Sequence, residues 1–327
     1  MSKSNGHVPD NTLLSQFEQD VLTGLSASPK FLSSKYFYDA RGSVLFEQIM
    51  RMPEYYPTDC EFEIFETHKQ ALLEEFSQFG TPFRLIDFGA GDGLKTKILL
   101  DHFLEQGVNF SYTPVDISGD ALHQLCSELA VSHPELDVHP IEGDYFVALD
   151  QLNETDKLPK IIMFLGSNIG NFLEEQAIYF LRNLQKRMNE KDTLMVGLDL
   201  KKDPQVILHA YNDDSGITKE FNLNLLRRLN RELDANFNVD QFIHAPTYNP
   251  MTGETKSYLV STCDQEVYIG KLDTSFKFFP WEAIWTELSQ KYDFGMIQHL
   301  AEESGFKVDS HYQDKRNYFV DSILRLK

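Results

Sequence analysis

The stretch Ile86-Asp-Phe-Gly-Ala-Gly-Asp-Gly93 constrains this chain most. An apolar run over 84–88 precedes it and residues of helical spacing over 95–103 follow, so the glycines stand where a strand hands over to a helix. In doubly wound sheets that is where ligands bind. The alternation continues. Residues 110–115 read as a strand ending in Asp116, 121–132 as a helix, and 138–142 as a strand ending in Gly143-Asp144. Residues 160–165 read as a strand buried on both faces, 174–187 as a helix and 193–200 as a strand. Strands alternating with helices predict right-handed crossovers and a parallel sheet.

The rhythm breaks after Lys201. A helix over 217–233 and strand-like pieces over 256–262 and 266–269 read as an insertion. The α/β pattern then resumes, with 281–291 as a connecting helix, 296–304 as a helix closed by Gly305, and 307–312 and 318–326 as a hairpin that gives the sheet an antiparallel edge. Ahead of the sheet, 11–25 reads as an amphipathic helix and 61–79 as a long one. Between them lies an aromatic-rich stretch with a turn signal at Arg41-Gly42-Ser43 and prolines at Pro53 and Pro57.

Composition excludes several classes. With 327 residues, 42% of them hydrophobic, the chain can bury a sizeable core, which rules out wholesale disorder. Fifty acidic against thirty basic residues give a net charge of −20, which argues against nucleic acid and anionic membranes as partners. The three cysteines are far apart, which argues against a disulfide framework or a zinc site and suits a reducing cytoplasm. The polar start lacks the apolar run of a signal peptide, and no stretch approaches the roughly 20 apolar residues of a membrane span. Cytoplasmic localisation and a small-molecule substrate are therefore expected.

The loop is spaced G-x-G-x-G, and Leu94 stands where a dinucleotide fingerprint wants its last glycine. Asp87 adds a carboxylate beside Gly89 and Gly91, which disfavours a pyrophosphate and favours a cation. Asp116 at one strand end can accept ribose hydroxyls. Asp144 at the next can accept from an adenine amino group, with Tyr145 beside the ring. This combination describes a site for S-adenosylmethionine. Asp116 and Asp144 as plain helix caps or turn residues, and a nicotinamide enzyme, are the competing readings. Phe164-Leu-Gly-Ser-Asn-Ile-Gly-Asn-Phe172 faces the same crevice; Asn168 and Asn171 in it are alternatively turn residues. It lacks the Asn/Asp-Pro-Pro-aromatic run of base methyltransferases.

Longer motifs carry a family likeness. Lys35-Tyr-Phe-Tyr-Asp-Ala-Arg-Gly-Ser43, Met52-Pro-Glu-Tyr-Tyr-Pro-Thr58, the 164–171 run, Ala210-Tyr-Asn-Asp-Asp-Ser-Gly216 and Phe221-Asn-Leu-Asn-Leu-Leu-Arg-Arg-Leu-Asn-Arg-Glu-Leu233 resemble the histidine-specific Nα-methyltransferase family of ergothioneine biosynthesis, from about residue 13 to the end. The resemblance implies an α/β fold: a Rossmann-like class I methyltransferase sheet over 62–200 and 281–327, with a second, smaller α+β substrate domain over 1–61 and 201–280. It implies transfer of up to three methyl groups from S-adenosylmethionine to the α-amine of L-histidine, giving hercynine and S-adenosylhomocysteine. It implies a monomer and no metal.

Carried over position by position, the resemblance assigns Gly89, Lys95, Asp116, Asp144 and Tyr145 to the methyl donor, Tyr145 standing where phenylalanine is usual. It assigns Asn171 and Tyr211 to the substrate carboxylate, Tyr38 and Gly166 to its amine, and Tyr55, Asp273 and Ser275 to its imidazole. Tyr38 and Asn171 are the candidates nearest the chemistry; no general base is assigned. Asp273 stands where the histidine enzymes carry glutamate, and Tyr258, near the same pocket, stands where methionine is expected. These departures keep another aromatic or imidazole amine open as the substrate. A protein that binds S-adenosylmethionine without turnover is the alternative from outside enzymology. His209, His244 and His299 are scattered and read as structural, and Arg227, Arg228 and Arg231 read as a salt-bridged helix face.

Overall fold

The computed structural model describes residues 14–80, 82–155 and 157–327. The chain divides into two compact units, each drawn from separated stretches. The larger takes Met50–Tyr211, Thr247–Thr255 and Leu288–Lys327; the smaller takes the described residues up to Ile49, Asn212–Pro246 and Lys256–Glu287. Beside expected boundaries at 61, 200 and 280, the changeovers fall after 49, 211, 246, 255 and 287, so Tyr55 and Tyr211 share a unit with the glycine loop.

In the larger unit Phe83–Phe88 lies at the centre of an eight-stranded sheet, with Phe110–Asp116 on one side and Lys160–Phe164 on the other, both parallel to it. The chain first steps outward to Asp137–Val138 and Ile141–Glu142, then returns across the start to Lys160–Phe164 and Thr193–Asp199. This is the Rossmann-like order that the resemblance implies. The reversal creates a switch point beyond the carboxyl ends of Phe83–Phe88 and Lys160–Phe164, where the two adjoining loops diverge. The closing hairpin differs in detail from expectation. Phe319–Leu326 inserts antiparallel beside Thr193–Asp199, and Phe306–Gln313 forms the edge, so the antiparallel strand is second from the rim.

Strand alternation divides the core in two. Leu85, Ile161, Met163 and Met195 point to one face with Phe65, Phe76 and Phe103; Ile86, Ile162, Phe164 and Val196 point to the other with Phe180 and Leu184. Each such fully buried side chain stabilises by about 1.5–3 kcal/mol, which fixes the register that sets the loops.

Several elements depart from the sequence reading. Residues 281–291 are not a connecting helix: Ala283–Gln290 is a strand whose Ile284, Thr286 and Leu288 turn inward at every second position. Arg41-Gly42-Ser43 is not a turn but the first turn of the helix Ala40–Met50. Asp39 Oδ1 accepts from Gly42 N at 2.7 Å, and any Cβ on Gly42 would overlap the Phe37 carbonyl, so glycine serves a close approach there. The long helix is Tyr56–Ser77, because Pro57 sits in its first turn, where no N–H is needed. Residues 138–142 form two short strands separated at Pro140. The first helix is Gln16–Ser26; the start expected for it at 11–13 lies outside the described residues.

The smaller unit packs the helix Ile217–Glu232 and a sheet in the order Lys30–Phe31, Ala283–Gln290, Glu254–Ser261, Phe242–His244. Asp213 starts that helix: its carboxylate accepts from Ile217 N (2.8 Å), Thr218 N (2.9 Å) and the Ser215 hydroxyl (2.7 Å). Against the effect of burial, these bonds hold the carboxyl down at about 2. Arg227, Arg228 and Arg231 pair with Glu220, Glu232 and Asp39, the salt-bridged face expected of them. A separate hairpin joins Gln265–Ile269 to Thr274–Phe278.

Candidate active site

All three loop glycines adopt left-handed backbone, with φ of +73° at Gly89, +53° at Gly91 and +63° at Gly93. Other residues reach that region only at a cost. Asp116 ties the loop down. Its Oδ2 accepts from Gly91 N (3.1 Å) and its Oδ1 from Ser118 N (2.9 Å). The turn reading of Asp116 is thus realised, while its side chain stays half-exposed at the strand end. Asp144 likewise caps the helix Tyr145–Thr155: Oδ1 takes Phe146 N (2.8 Å) and Val147 N (3.3 Å), and Oδ2 takes neither.

The loop is bare where side chains converge on it. A Cβ on Gly89 would lie 3.1 Å from the Tyr145 hydroxyl and 3.8 Å from Asn168 Nδ2. One on Gly166 would lie 3.6 Å from Lys95 Nζ and 3.8 Å from the same Asn168 nitrogen. Gly89, Gly166, Lys95 and Tyr145 therefore meet at the switch point, and Asn168 joins them. Tyr145 stacks on Phe88 with ring centroids 4.6 Å apart and 14° between planes, and meets Phe164 edge-on at 5.9 Å. Burial, then the carboxylates of Asp116, Asp87 and Asp144, push its hydroxyl up to about 12, so it remains neutral.

Asp87 corrects an expectation. Its carboxylate does not stand open to the crevice: it is buried, and Oδ2 accepts from Thr96 Oγ1 (2.6 Å) and Tyr112 Oη (3.0 Å). Burial pushes its carboxyl up to about 6. It forms part of the wall behind the glycine loop.

Lys95 has a partner that the sequence did not reveal. Its ammonium pairs with the fully buried Glu61, whose Oε1 also accepts from Gly166 N at 2.8 Å. One carboxylate thus ties the helix after the first loop to the backbone of the second. Beside it, burial and then the Glu61 charge hold Asp321 well above the usual carboxylate range. Glu61 and Asp321 sit mid-element with no motif around them, so only the fold brings them to Lys95.

The second loop turns at Gly166 (φ +69°) and Ser167 (φ +57°), and Ser167 Oγ accepts from Asp199 N at 3.0 Å. Asn171 ends the short 3-10 turn Asn168–Asn171 with an exposed side chain. Tyr211 follows the helix Pro204–Ala210; its hydroxyl donates to Ser289 Oγ (2.8 Å) and accepts from Lys291 Nζ (2.8 Å). Tyr55 precedes the helix Tyr56–Ser77, half-buried, while neighbouring Tyr56 is buried and bonded to Asp199 Oδ2 at 2.8 Å.

The remaining predicted residues belong to the smaller unit. Tyr38 is 45% exposed, its ring edge-on to Phe46 (5.4 Å) and Phe221 (5.8 Å). Tyr258 is half-buried on the strand Glu254–Ser261. Asp273 is exposed in left-handed backbone (φ +45°), and its Oδ1 accepts from the Tyr268 hydroxyl at 2.8 Å. Ser275 lies opposite Tyr268 in the hairpin register, so Asp273, Ser275 and the unforeseen Tyr268 form one group. His244 is half-buried, with neither ring nitrogen partnered among the described residues, and burial lowers it to about 4. Among the described residues no group of three or more His, Cys, Asp or Glu is placed to hold a metal ion, and no helix is long and apolar enough to cross a membrane.

Comparison with known proteins identifies relatives. The model of a family described as histidine-specific, S-adenosylmethionine-dependent methyltransferases matches residues 17–326. The chain is 34% identical over 306 residues to a histidine N-alpha-methyltransferase of Mycolicibacterium smegmatis, covering 93% of both chains. It is 34% identical over 274 residues to the Mycobacterium tuberculosis protein of the same name, covering 84% of each. A 4-dimethylallyltryptophan N-methyltransferase of Claviceps purpurea is 26% identical over 219 residues, 64% of this chain and 61% of that one.

Proposed function

Because the chain belongs to the histidine-specific, S-adenosylmethionine-dependent methyltransferase family, we infer that it methylates the α-amino group of L-histidine, up to the trimethylated product. The family match along nearly the whole chain carries this reading, and the crevice fits the donor. Gly89 leaves bare the space that a Cβ would fill beneath Tyr145 and Asn168, Asp116 ends one strand, and Asp144 caps the helix after the next. When bound, S-adenosylmethionine supplies an electrophilic methyl group to an amine and leaves as S-adenosylhomocysteine.

The chain's own part is to hold and orient. Asp116 and Asp144 would accept from the hydroxyl and amino groups of the nucleoside, Gly89 and Gly91 would admit it, and Tyr145 and Lys95 would complete its site. Asn171 and Tyr211 hold the substrate carboxylate, and Gly166 and Tyr38 face the amine. Tyr55, Asp273 and Ser275 contact the imidazole, with Tyr258 beside them. No residue is assigned as a general base: Tyr38 orients the amine and the departing proton goes to water. Orientation of this kind is the main lever in a two-substrate transfer.

The test is incubation of the full chain with S-adenosylmethionine and a panel of amino acids, scored by mass spectrometry for the identity and number of added methyl groups. Methylated histidine is expected; methylation of no amino acid overturns the reading. A second reading, another aromatic amine as substrate, draws on Asp273, whose carboxylate is already engaged by Tyr268, and on the tryptophan-type relative. Calorimetry decides between them: a panel amine that binds much more tightly than histidine favours the second reading. If Asp273→Glu leaves histidine binding unchanged, Asp273 is not the discriminating contact.

A further inference from the structure

Behind the Tyr211 hydroxyl lies a buried charge cluster that the mechanism does not yet use. Asp199 sits between two ammonium groups. Lys291 reaches its Oδ2 at 2.8 Å, and Lys202 pairs with Oδ1. The side chains of Lys291, Lys202 and Asp199 are only 1%, 4% and 1% exposed. Two cations thus share one carboxylate, out of contact with water. The other donors of Lys202 go to the Tyr56 hydroxyl (2.9 Å) and the Leu200 carbonyl (2.6 Å). Those of Lys291 go to the Tyr211 hydroxyl and Ser289 Oγ, both at 2.8 Å.

This arrangement is costly without an anion. A buried charge calls for a partner of opposite sign, and here two ammonium groups divide a single carboxylate, which leaves one positive charge in excess. Burial, together with the like charge of Lys291, pulls Lys202 below the usual lysine range. The Tyr211 hydroxyl is the outlet. Its proton goes to Ser289 Oγ, and because Ser289 Oγ also receives from Lys291, the serine can donate to Tyr211 instead and free that proton for an anion. An anion that takes the Tyr211 proton then stands one hydrogen bond from the uncompensated ammonium.

We propose that Lys291 is a positioning residue for the α-carboxylate of the amino-acid substrate, acting through Tyr211 and supplying the charge that this carboxylate balances. The proposal rests on the reading of Tyr211 as a carboxylate contact. It also explains why two lysines are held on one aspartate. Removing Lys291 leaves Asp199 and Lys202 as a balanced pair, so the fold tolerates the loss better than it would the loss of Asp199.

The test is binding of L-histidine and of histidinamide, which lacks the carboxylate charge, to the full chain in the presence of S-adenosylhomocysteine. In the native protein histidine binds more tightly than its amide. Lys291→Met should weaken histidine by roughly 10- to 100-fold, the range of one charge-assisted contact. It should leave histidinamide and S-adenosylhomocysteine unchanged. Lys291→Arg, which keeps the charge, should retain a preference for histidine and serves as the probe if the methionine variant melts below the assay temperature. Equal loss for acid and amide in Lys291→Met, no loss for either, or absence of the preference in Lys291→Arg overturns the proposal. Failure of the native protein to bind or methylate histidine overturns the underlying reading instead, and the two results are distinguishable.

Discussion

Asp87→Asn isolates the charge buried behind the glycine loop. Asp87 is 3% exposed, and both hydroxyl donors, Thr96 and Tyr112, converge on its Oδ2. An asparagine oxygen can accept both, so the substitution removes a titratable charge while keeping the donors satisfied. Burial raises the folded carboxyl from 3.8 to about 6. The sign follows from linkage. A raised pKa means that the folded state holds the proton more tightly than the unfolded chain. The stability this confers is complete below pH ~4 and is lost as pH rises through about 6. The rise from 3.8 to about 6 is worth about 3 kcal/mol.

The comparison to make is between the pH profiles of the two proteins, since any fixed cost of the amide cancels. Urea denaturation at several pH values from 4 to 8 supplies it, read by a probe of the larger unit. Relative to Asp87→Asn, the native protein should lose about 2.5 kcal/mol of stability between pH 4 and pH 8, nearly all of it by pH 7. Parallel profiles would refute the reasoning, because they would mean that the carboxyl titrates alike in the folded and unfolded chains. The same variant tests what the charge does for the ligand. If Asp87 acts on the sulfonium through the wall, donor affinity falls; if it serves only the loop, affinity holds while the pH profile flattens.

Two further substitutions probe the joints of the fold. Glu61→Gln removes the acid shared by Lys95 and Gly166 N, and because Lys95 keeps 23% of its side chain exposed, the cost falls below the ~3–5 kcal/mol of a fully buried broken pair, to about 1–3 kcal/mol by urea denaturation. With the Glu61 charge gone, Asp321 can ionise toward Lys95, so the double variant Glu61→Gln/Asp321→Asn should lose more donor affinity than the sum of the single variants, and strict additivity would count against that coupling. Asp213→Ala removes the cap of Ile217–Glu232 and should cost about 1–2 kcal/mol at pH 7. Since the Asp213 carboxyl is lowered to about 2, its contribution is complete above pH ~4 and fades as pH falls through about 2, so native and variant stabilities should converge in strong acid.

The donor side of the candidate site was legible because its signals are local. Three glycines in left-handed backbone, an acid that ends a strand and another just before a helix lie in short segments whose periodicity changes at the loop. Asp116 and Asp144 show the limit of that legibility: each does the cap or turn work that was the competing reading. What the sequence hid depends on contacts distant along the chain. Glu61 meets Gly166 across 105 positions and Tyr211 meets Ser289 across 78. Neither pairing leaves a pattern in its own segment. The misread elements have local causes. Ala283–Gln290 alternates, but Trp281, Ile284, Trp285 and Leu288 also fall at helical spacing. Gly42 and Pro57 punctuate a sequence, yet one permits a close packing contact and the other begins a helix.

The net charge of −20 suggested repulsion of anions, yet three lysines of the larger unit stand where anions are expected. Lys95, Lys202 and Lys291 lie on or beside residues assigned to the donor and to the substrate carboxylate. Both statements hold because they act over different ranges. Surface charges are screened beyond about 8–10 Å at physiological salt, whereas a buried ammonium in a low-dielectric surround is screened far less. An acidic surface therefore governs which large polyanions approach the chain, while the lysines behind Tyr211 govern whether a single carboxylate is held once inside. Raising salt should therefore weaken histidine binding only slightly. A steep dependence would mean that surface attraction, and not the buried Lys291, supplies the charge.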